Sequence, residues 1–379
     1  MILTQEHNEI RRTVRNFVDN EINPHIDQWE KDGIFPAKEL FKKMGDLGLL
    51  GISKPEAFGG MGLDFSYEMA AAEEFGGIMC GGVPMAIGVQ TCMATPALAR
   101  FGSEYIKETF LAPAIAGDMV ACIGVSEPGA GSDVAAIKTT AVKDGDDYII
   151  NGEKIFVTSG DRADAVVVWA TVDKNLGKAA IKSFVVEKGT PGMEVTRLEK
   201  KLGIKASDTA SISFNDCRVP RANLLGTEEV NAEKGFAGVM QTFDNTRPVV
   251  AAMAVGVATA SIERTKELLS KQGIQFDYSR SSKLSSQLQA EVYKMEAELE
   301  AARLLTIRAA WMADNGMPNS IEASISKAKA GRVANAITLK CVELLGSVGY
   351  CEDELLEKWA RDSKILDIFE GTQQIQQLI

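Results

Sequence analysis

Apolar residues in this chain follow a helical rhythm at both ends and a strand rhythm in the middle, and that change of texture constrains the fold more than any single motif does. Ile10, Val14, Phe17, Val18 and Ile22 recur at helical spacing, and the pattern repeats over residues 36–50 before Gly51. Helical character resumes over 67–76 and 96–116. From about 121 to 225 come short β-branched runs separated by turn residues. Residues 148–150, 155–158, 165–169, 183–186 and 211–214 each read as a strand. Asn151-Gly152 reads as a hairpin turn, and the spacing fits a small antiparallel barrel or sandwich. Beyond 230 the texture is helical again. Pro248 lies in an apolar stretch and should start or kink a helix, and 284–314, 320–345 and 353–368 are long enough for bundle helices. The expectation is an α+β chain in three parts: an N-terminal helical domain over 1–120, a middle β-domain over 121–228 and a C-terminal helical bundle over 229–379.

Composition narrows the chemistry. With 379 residues, 45% of them hydrophobic, the chain can bury a large core in two or three packed lobes. No apolar run approaches a membrane span and no signal-like segment opens the sequence, so a soluble, cytoplasmic protein without a membrane role is expected. A net charge of −11 argues against nucleic acid, whose binding needs a basic face. The six cysteines lack metal-ligand spacing and read as reduced, buried thiols. His7 and His25 are the only histidines, which leaves no room for a Ser-His-Asp triad or a histidine-held metal. What remains is a carboxylate working with an organic cofactor.

Ile368-Phe369-Glu370-Gly371-Thr372 places a carboxylate between an apolar pair and a Gly-Thr step. Apolar walls raise a carboxyl pKa toward the range of a general base, and Gly371 lets backbone pass close to a ligand. Taken alone, Glu370-Gly371-Thr372 reads first as a helix C-cap followed by a polar tail. Two further stretches stand beside them: 124–133, reading Gly-Val-Ser-Glu-Pro-Gly-Ala-Gly-Ser-Asp, and Phe243-Asp244-Asn245-Thr246-Arg247-Pro248. Together and in this order, the three resemble the acyl-CoA dehydrogenase family, its medium-chain and short-chain members most closely, and the resemblance runs almost end to end.

That resemblance implies a four-helix bundle for the C-terminal part, FAD as cofactor and an acyl-CoA substrate. Electrons would pass to an electron-transfer flavoprotein, and the assembly would be a homotetramer. It also implies roles. Glu370 is the proton acceptor; the alternative position used by some members is Thr246 here, which cannot be a base. Ile123, Val125, Ser126, Gly131 and Ser132 line the flavin, with Ser132 also near the ligand's pyrophosphate. Phe156, Val157 and Thr158 pack on or hydrogen-bond its ring. Thr372 and Gln374 meet the ribityl and phosphate groups, and Gln289 joins the cofactor set. Asp244 and Arg247 grip the coenzyme A moiety, with Gly371 beside the substrate; from spacing alone the Asp244–Arg247 pair reads instead as an ordinary intrahelical ion pair.

Departures from the family pattern cluster on one function. Where members carry an Arg-x-x-Phe-Gly signature for the ADP half of FAD, this chain has Tyr278, Ser281 and Ser282, with Arg280 out of register. A Gln-x-x-Gly-Gly stretch reads Glu343-Leu344-Leu345-Gly346-Ser347, and a C-terminal arginine has become Gln377. A carboxylate facing a diphosphate is unfavourable. Two alternatives therefore accompany the dehydrogenase reading: an enoyl-CoA reductase running the reverse direction, and a subunit of a heteromeric enzyme completed by a paralogue. Pro84 stands where dicarboxylyl-CoA members place an arginine, which disfavours a glutaryl-type substrate.

Overall fold

In the computed structural model, residues 3–230, 237–279 and 284–379 are described, with the side chains of 237–243 outside that description. The N-terminal part begins with α1 (Gln5–Phe17), started by a reciprocal Thr4–His7 capping box, and buries Val14 and Phe17. α2 (Phe65–Gly76) lies against the bundle helix α3 (Ala237–Lys271). Their crossing is close because it is made of glycine. A Cβ on Gly76 would sit 2.3 Å from the Met253 carbonyl oxygen, and one on Gly256 would sit 2.0 Å from that of Glu73. Pro248 lies inside α3, so it does not start a helix. α4 (Gln287–Asp314), α5 (Ser320–Leu345) and α6 (Leu355–Ser363) complete the bundle.

The middle part is an eight-stranded sheet of β1 (Ala121–Gly124), β2 (Thr140–Asp144), β3 (Asp147–Thr158), β4 (Ala165–Thr171), β5 (Ile181–Glu187), β6 (Met193–Leu198), β7 (Thr209–Pro220) and β8 (Leu224–Leu225). The order β6-β7-β3-β2-β4-β5-β8 is mainly antiparallel, with β1 added in parallel to β4. Asn151-Gly152 is not the hairpin turn. It lies inside β3, where the pairing with β7 slips between Ile150 and Gly152. Gly152 is needed there because a Cβ would meet the Thr139 hydroxyl oxygen at 2.4 Å. The turn comes earlier, between Asp144 and Asp147, with Gly145 at φ +63°. The two strands read at 148–150 and 155–158 are thus one.

The three parts meet at buried polar junctions. Gln90, fully buried, accepts from the Ala121 amide at 2.7 Å and donates to the carbonyls of Ala114 and Met119. Asp362 on α6 accepts from the Gly81 amide of the N-terminal part at 2.7 Å and from the Ile204 amide of the sheet at 2.5 Å. A Cβ on Gly81 or Gly203 would collide with Asp362 or its neighbour Arg361. Burial pushes the Asp362 carboxyl up to about 6, against the pull of those two N–H donors. All six cysteines are free; five are buried and Cys351 is exposed. Among the described residues no helix is long and apolar enough to cross a membrane.

Candidate active site

The chain leaves α6 through a short 3-10 turn, Lys364–Asp367, and then reverses. Glu370 takes φ +55° and Gly371 φ +87°, a left-handed pair that only the glycine adopts without strain. Thr372 then caps the short helix Gln373–Gln376. Two buried side chains hold the reversal from within. The Gln376 amide donates to the Glu370 carbonyl at 2.9 Å, and the Lys327 ammonium donates to the Gly371 carbonyl at 2.6 Å.

The reversal turns the Glu370 carboxylate toward α3, where the buried Thr246 hydroxyl donates to it at 2.7 Å. Burial raises its pKa; the Thr246 hydrogen bond and then the Arg247 and Lys327 cations pull the other way. A carboxylate in this setting can take and return a proton in the range where a general base is useful.

Next to Thr246 on α3, Arg247 donates to Asp244, three residues back, at 3.1 Å and to Ser324 at 3.2 Å, and Ser320 donates to the other Asp244 oxygen. Both ion-pair partners are buried, so the intrahelical pair forms as the spacing allowed. Asp244 and Ser320 form one wall of a cleft of about 770 Å³ between the bundle and the N-terminal helices. Its opposite wall carries the buried pair Lys54–Glu68, 3.2 Å apart. This cleft is large enough for an extended ligand.

A second cluster forms at the sheet. Ile123 and Val125, half-buried, lead from β1 into the 125–133 loop, which β3 grips in two places. The Ile155 amide donates to the Ser126 carbonyl at 2.9 Å, and the Lys154 ammonium reaches the Val125 carbonyl at 3.0 Å and Glu127 at 2.8 Å. Glu127 in turn accepts from the amides of Lys138 and Thr139. Above this strut Phe156, at φ +57°, leaves 62% of its surface exposed beside buried Val157 and half-buried Thr158. Nothing stands within 4 Å of a Cβ built on Gly129 or Gly131, and Ser132 is exposed. The Ser159 hydroxyl is buried without a hydrogen-bond partner. An exposed aromatic face, loop amides unobstructed by side chains and an unused buried hydroxyl fit a planar heteroaromatic cofactor carrying a phosphate tail.

Family models described as acyl-CoA dehydrogenase N-terminal, middle and C-terminal domains match residues 4–118, 122–217 and 233–379. The mitochondrial short-chain specific acyl-CoA dehydrogenase of Rattus norvegicus is 36% identical over 378 residues, covering 100% of this chain and 89% of that protein. This chain belongs to the acyl-CoA dehydrogenase family. The acryloyl-CoA reductase (NADH) of Anaerotignum propionicum is 35% identical, covering 100% of this chain and 94% of that one. A chain in the structure described as the electron transferring flavoprotein of Acidaminococcus fermentans superposes with a TM-score of 0.92 at 36% identity, covering 100% of this chain and 97% of that chain.

Seen as a member of the acyl-CoA dehydrogenase family, the chain gathers Glu370, Gly371, Thr246, Arg247 and Asp244 in one cluster and the segments 123–132 and 156–158 in another. Gln374 is exposed on the terminal helix. Gln289 lies at the start of α4, where its side chain completes a capping box with Ser286 and donates to the Gln275 carbonyl at 2.6 Å. Tyr278 accepts from Lys266 and donates to Glu296, both at 2.6 Å. Glu343 is exposed and paired with Lys340 at 2.8 Å, and Pro84 is buried. Arg280, Ser281, Ser282 and Lys283 lie outside the described residues. Sequence reasoning missed Lys327, Gln376, Lys154 and Glu127. Lys327 offered one signal, a lone cation at a position whose neighbours Ala323 and Ala330 face the core.

Proposed function

We propose that this chain is an FAD-dependent acyl-CoA dehydrogenase that converts an acyl-CoA thioester to a 2-enoyl-CoA. The observation that carries this reading is the half-buried Glu370 carboxylate, held in a left-handed reversal by Thr246, two helix positions along from Asp244, which lines the ligand-sized cleft. Glu370 takes the proton from Cα of the thioester, and the electron pair of that C–H bond becomes the Cα–Cβ double bond as hydride leaves Cβ. FAD, when bound, accepts that hydride, a task no amino-acid side chain performs. The chain's own residues do the rest. Phe156 offers its exposed ring to the flavin, while Ser126, Val157 and Thr158 border the ring edge. Ile123, Val125, Gly131 and Ser132 form the rest of that wall, and Thr372, Gln374 and Gln289 serve the cofactor's tail. Asp244, Arg247, Ser132 and Gly371 position the thioester and its coenzyme A part. An electron-transfer flavoprotein takes up the electrons, a reading supported by the description of the Acidaminococcus fermentans structure.

The likeness to an acryloyl-CoA reductase favours a second reading, in which the same residues run in reverse and Glu370 gives its proton to Cα.

Homotetramer is the proposed assembly. Leu304, Trp311, Ile325 and Leu339 expose apolar side chains on the bundle helices, surface that subunit contact would cover. The alternative is a heteromer in which a paralogue supplies the ADP contacts that Tyr278 and Glu343 do not resemble. One preparation tests function and assembly together. The chain purified alone is expected to be a tetramer with one FAD per chain, bleached anaerobically by one member of an acyl-CoA panel. Bound flavin that no acyl-CoA bleaches would sink the dehydrogenase reading. Flavin below one per chain, restored by a co-expressed paralogue, would replace the homotetramer by the heteromer.

Arg247→Ala is expected to raise the acyl-CoA dissociation constant by about one to two orders of magnitude while FAD stays bound, since a charged hydrogen bond contributes about 1.5–3 kcal/mol. Stability should fall as well, because among the described residues Asp244 then keeps Ser320 alone. Lost stability with unchanged affinity, measured by ligand titration, would leave Arg247 an ion-pair residue only.

A further inference from the structure

Lys327 has no part in the reading above, yet it is the most enclosed cation near Glu370. It is 1% exposed, and α5 carries it inward among Ala323, Ala330 and Ala334. A lysine side chain can be buried only where something offsets its lost hydration. Here its Nζ lies 2.6 Å from the Gly371 carbonyl, in the middle of the left-handed reversal. Three charged groups face it: Arg247 from α3, and Asp367 and Glu370 from the C-terminal segment. Asp367 is already engaged by Lys364 at 2.8 Å, which leaves Glu370 as the carboxylate whose state answers most directly to Lys327.

The geometry points to Lys327 as the positioning residue of the reaction: through the Gly371 carbonyl it fixes the backbone reversal that aims Glu370, and through its charge it keeps the Glu370 carboxylate ionisable. This rests on Glu370 being the base. The backbone part follows from strain. Glu370 at φ +55° is a conformation that a residue with a Cβ holds only when its surroundings impose it. Lys327 and Gln376 impose it by occupying the two successive carbonyls of Gly371 and Glu370. The charge part follows from enclosure, because a buried cation facing a half-buried carboxylate is less screened than in water and favours its ionised form.

Burial lowers the Lys327 pKa to about 8, with Glu370 and Asp367 pulling it up and Arg247 pushing it down. The pair therefore has a sign. Activity should rise with pH as Glu370 loses its proton. It should fall again near pH 8 as Lys327 loses its own and the carboxylate loses its counter-charge.

Three measurements test this on the holoenzyme. In Lys327→Met, kcat should fall about 10–100-fold with KM little changed, since a displacement of about 1 Å in a reacting group costs up to about 100-fold. The acid limb of the rate profile should move to higher pH. Lys327→Arg keeps both charge and donor, so it should recover most of kcat while losing the decline near pH 8, because a guanidinium does not titrate there. Independently of turnover, the infrared band of the protonated Glu370 carboxyl, identified by its disappearance in Glu370→Gln, should titrate at higher pH in Lys327→Met than in the native chain. A Met variant whose carboxyl band and rate profile superimpose on the native ones overturns the proposal. So does an Arg variant as slow as the Met variant with an unmoved alkaline limb, which leaves Lys327 a packing residue. Should Lys327→Met not accumulate as folded protein, the Arg variant decides: because Lys154 also sits at about 8, a decline near pH 8 that persists both in it and in the Lys154→Arg, Lys327→Arg double variant overturns the assignment. The infrared titration reads the coupling of Lys327 to Glu370 whether or not Glu370 is the base. Retained turnover in Glu370→Gln would end the base assignment without touching that result.

Discussion

Glu370→Gln is expected to keep its FAD and bind acyl-CoA while flavin bleaching slows by more than about 10²–10⁴-fold, the range for loss of a general base alone. Coupling of proton and hydride departure pushes the loss to the upper end, because neither bond can break far without the other. The variant is conservative where it must be. Gln keeps the length of Glu, and its amide oxygen can still accept from the Thr246 hydroxyl, so the left-handed reversal need not relax. What disappears is the proton acceptor. In the native chain, burial places the Glu370 pKa above the ordinary carboxylate range, so the bleaching rate should climb with pH at a correspondingly higher value. Stopped-flow absorbance on the anaerobic protein, native and variant, measures both effects. Bleaching of the Gln variant at near the native rate would remove Glu370 from the reaction.

Lys154→Met should cost about 3–5 kcal/mol, the usual penalty for removing one partner of a buried ion pair. Lys154 is fully buried, and among the described residues its ammonium is the only side-chain cation paired with Glu127, which is itself 7% exposed. Burial depresses the lysine to about 8, yet Glu127 holds it charged at neutral pH. Without it the Glu127 carboxylate keeps two backbone N–H donors and no counter-charge, and the Val125 carbonyl loses its buried donor. Urea unfolding should show the loss, and the 125–133 loop, freed at Val125 and Glu127, should release flavin on dialysis. Adding Glu127→Gln should return part of the stability, since the stranded charge is then gone. A Met variant within about 0.5 kcal/mol of native stability, the range of an ordinary surface change, would mean that the strut carries no load.

Most of the architecture was legible because apolar periodicity reports which face of an element is buried. The five β-branched runs all fall on strands, and 320–345 coincides with α5. Periodicity failed where burial was not the reason for the structure. β6 is largely exposed over Met193–Leu198, so it carried no alternating signal. Asn151-Gly152 has the composition of a turn, but its glycine makes room for Thr139 at a bulge. At the site, sequence resemblance pointed to Glu370 and the glycine-rich loop as motifs. It could not point to Lys327 or Lys154, whose partners lie 44 residues and 27 to 29 residues away, nor to Gln376, whose partner six residues back is a backbone carbonyl that no side-chain pattern marks. For Arg247 spacing alone favoured the ion pair and the resemblance implied a ligand grip; the structure contains the ion pair.

The Asp362 junction bears on how this chain comes to be assembled. Its two hydrogen bonds span 281 and 158 residues of sequence. The N-terminal helices and the sheet leave the ribosome long before α6 does, and each can begin to form on its own. The seam between them, at Gly81 and Ile204, has to wait for a carboxylate delivered 158 residues after Ile204. A nascent chain stopped short of α6 therefore holds two lobes with an open, unsealed boundary. The residue that seals it lies on the helix leading directly to Glu370, so one helix both closes the body of the protein and carries the chain to its base.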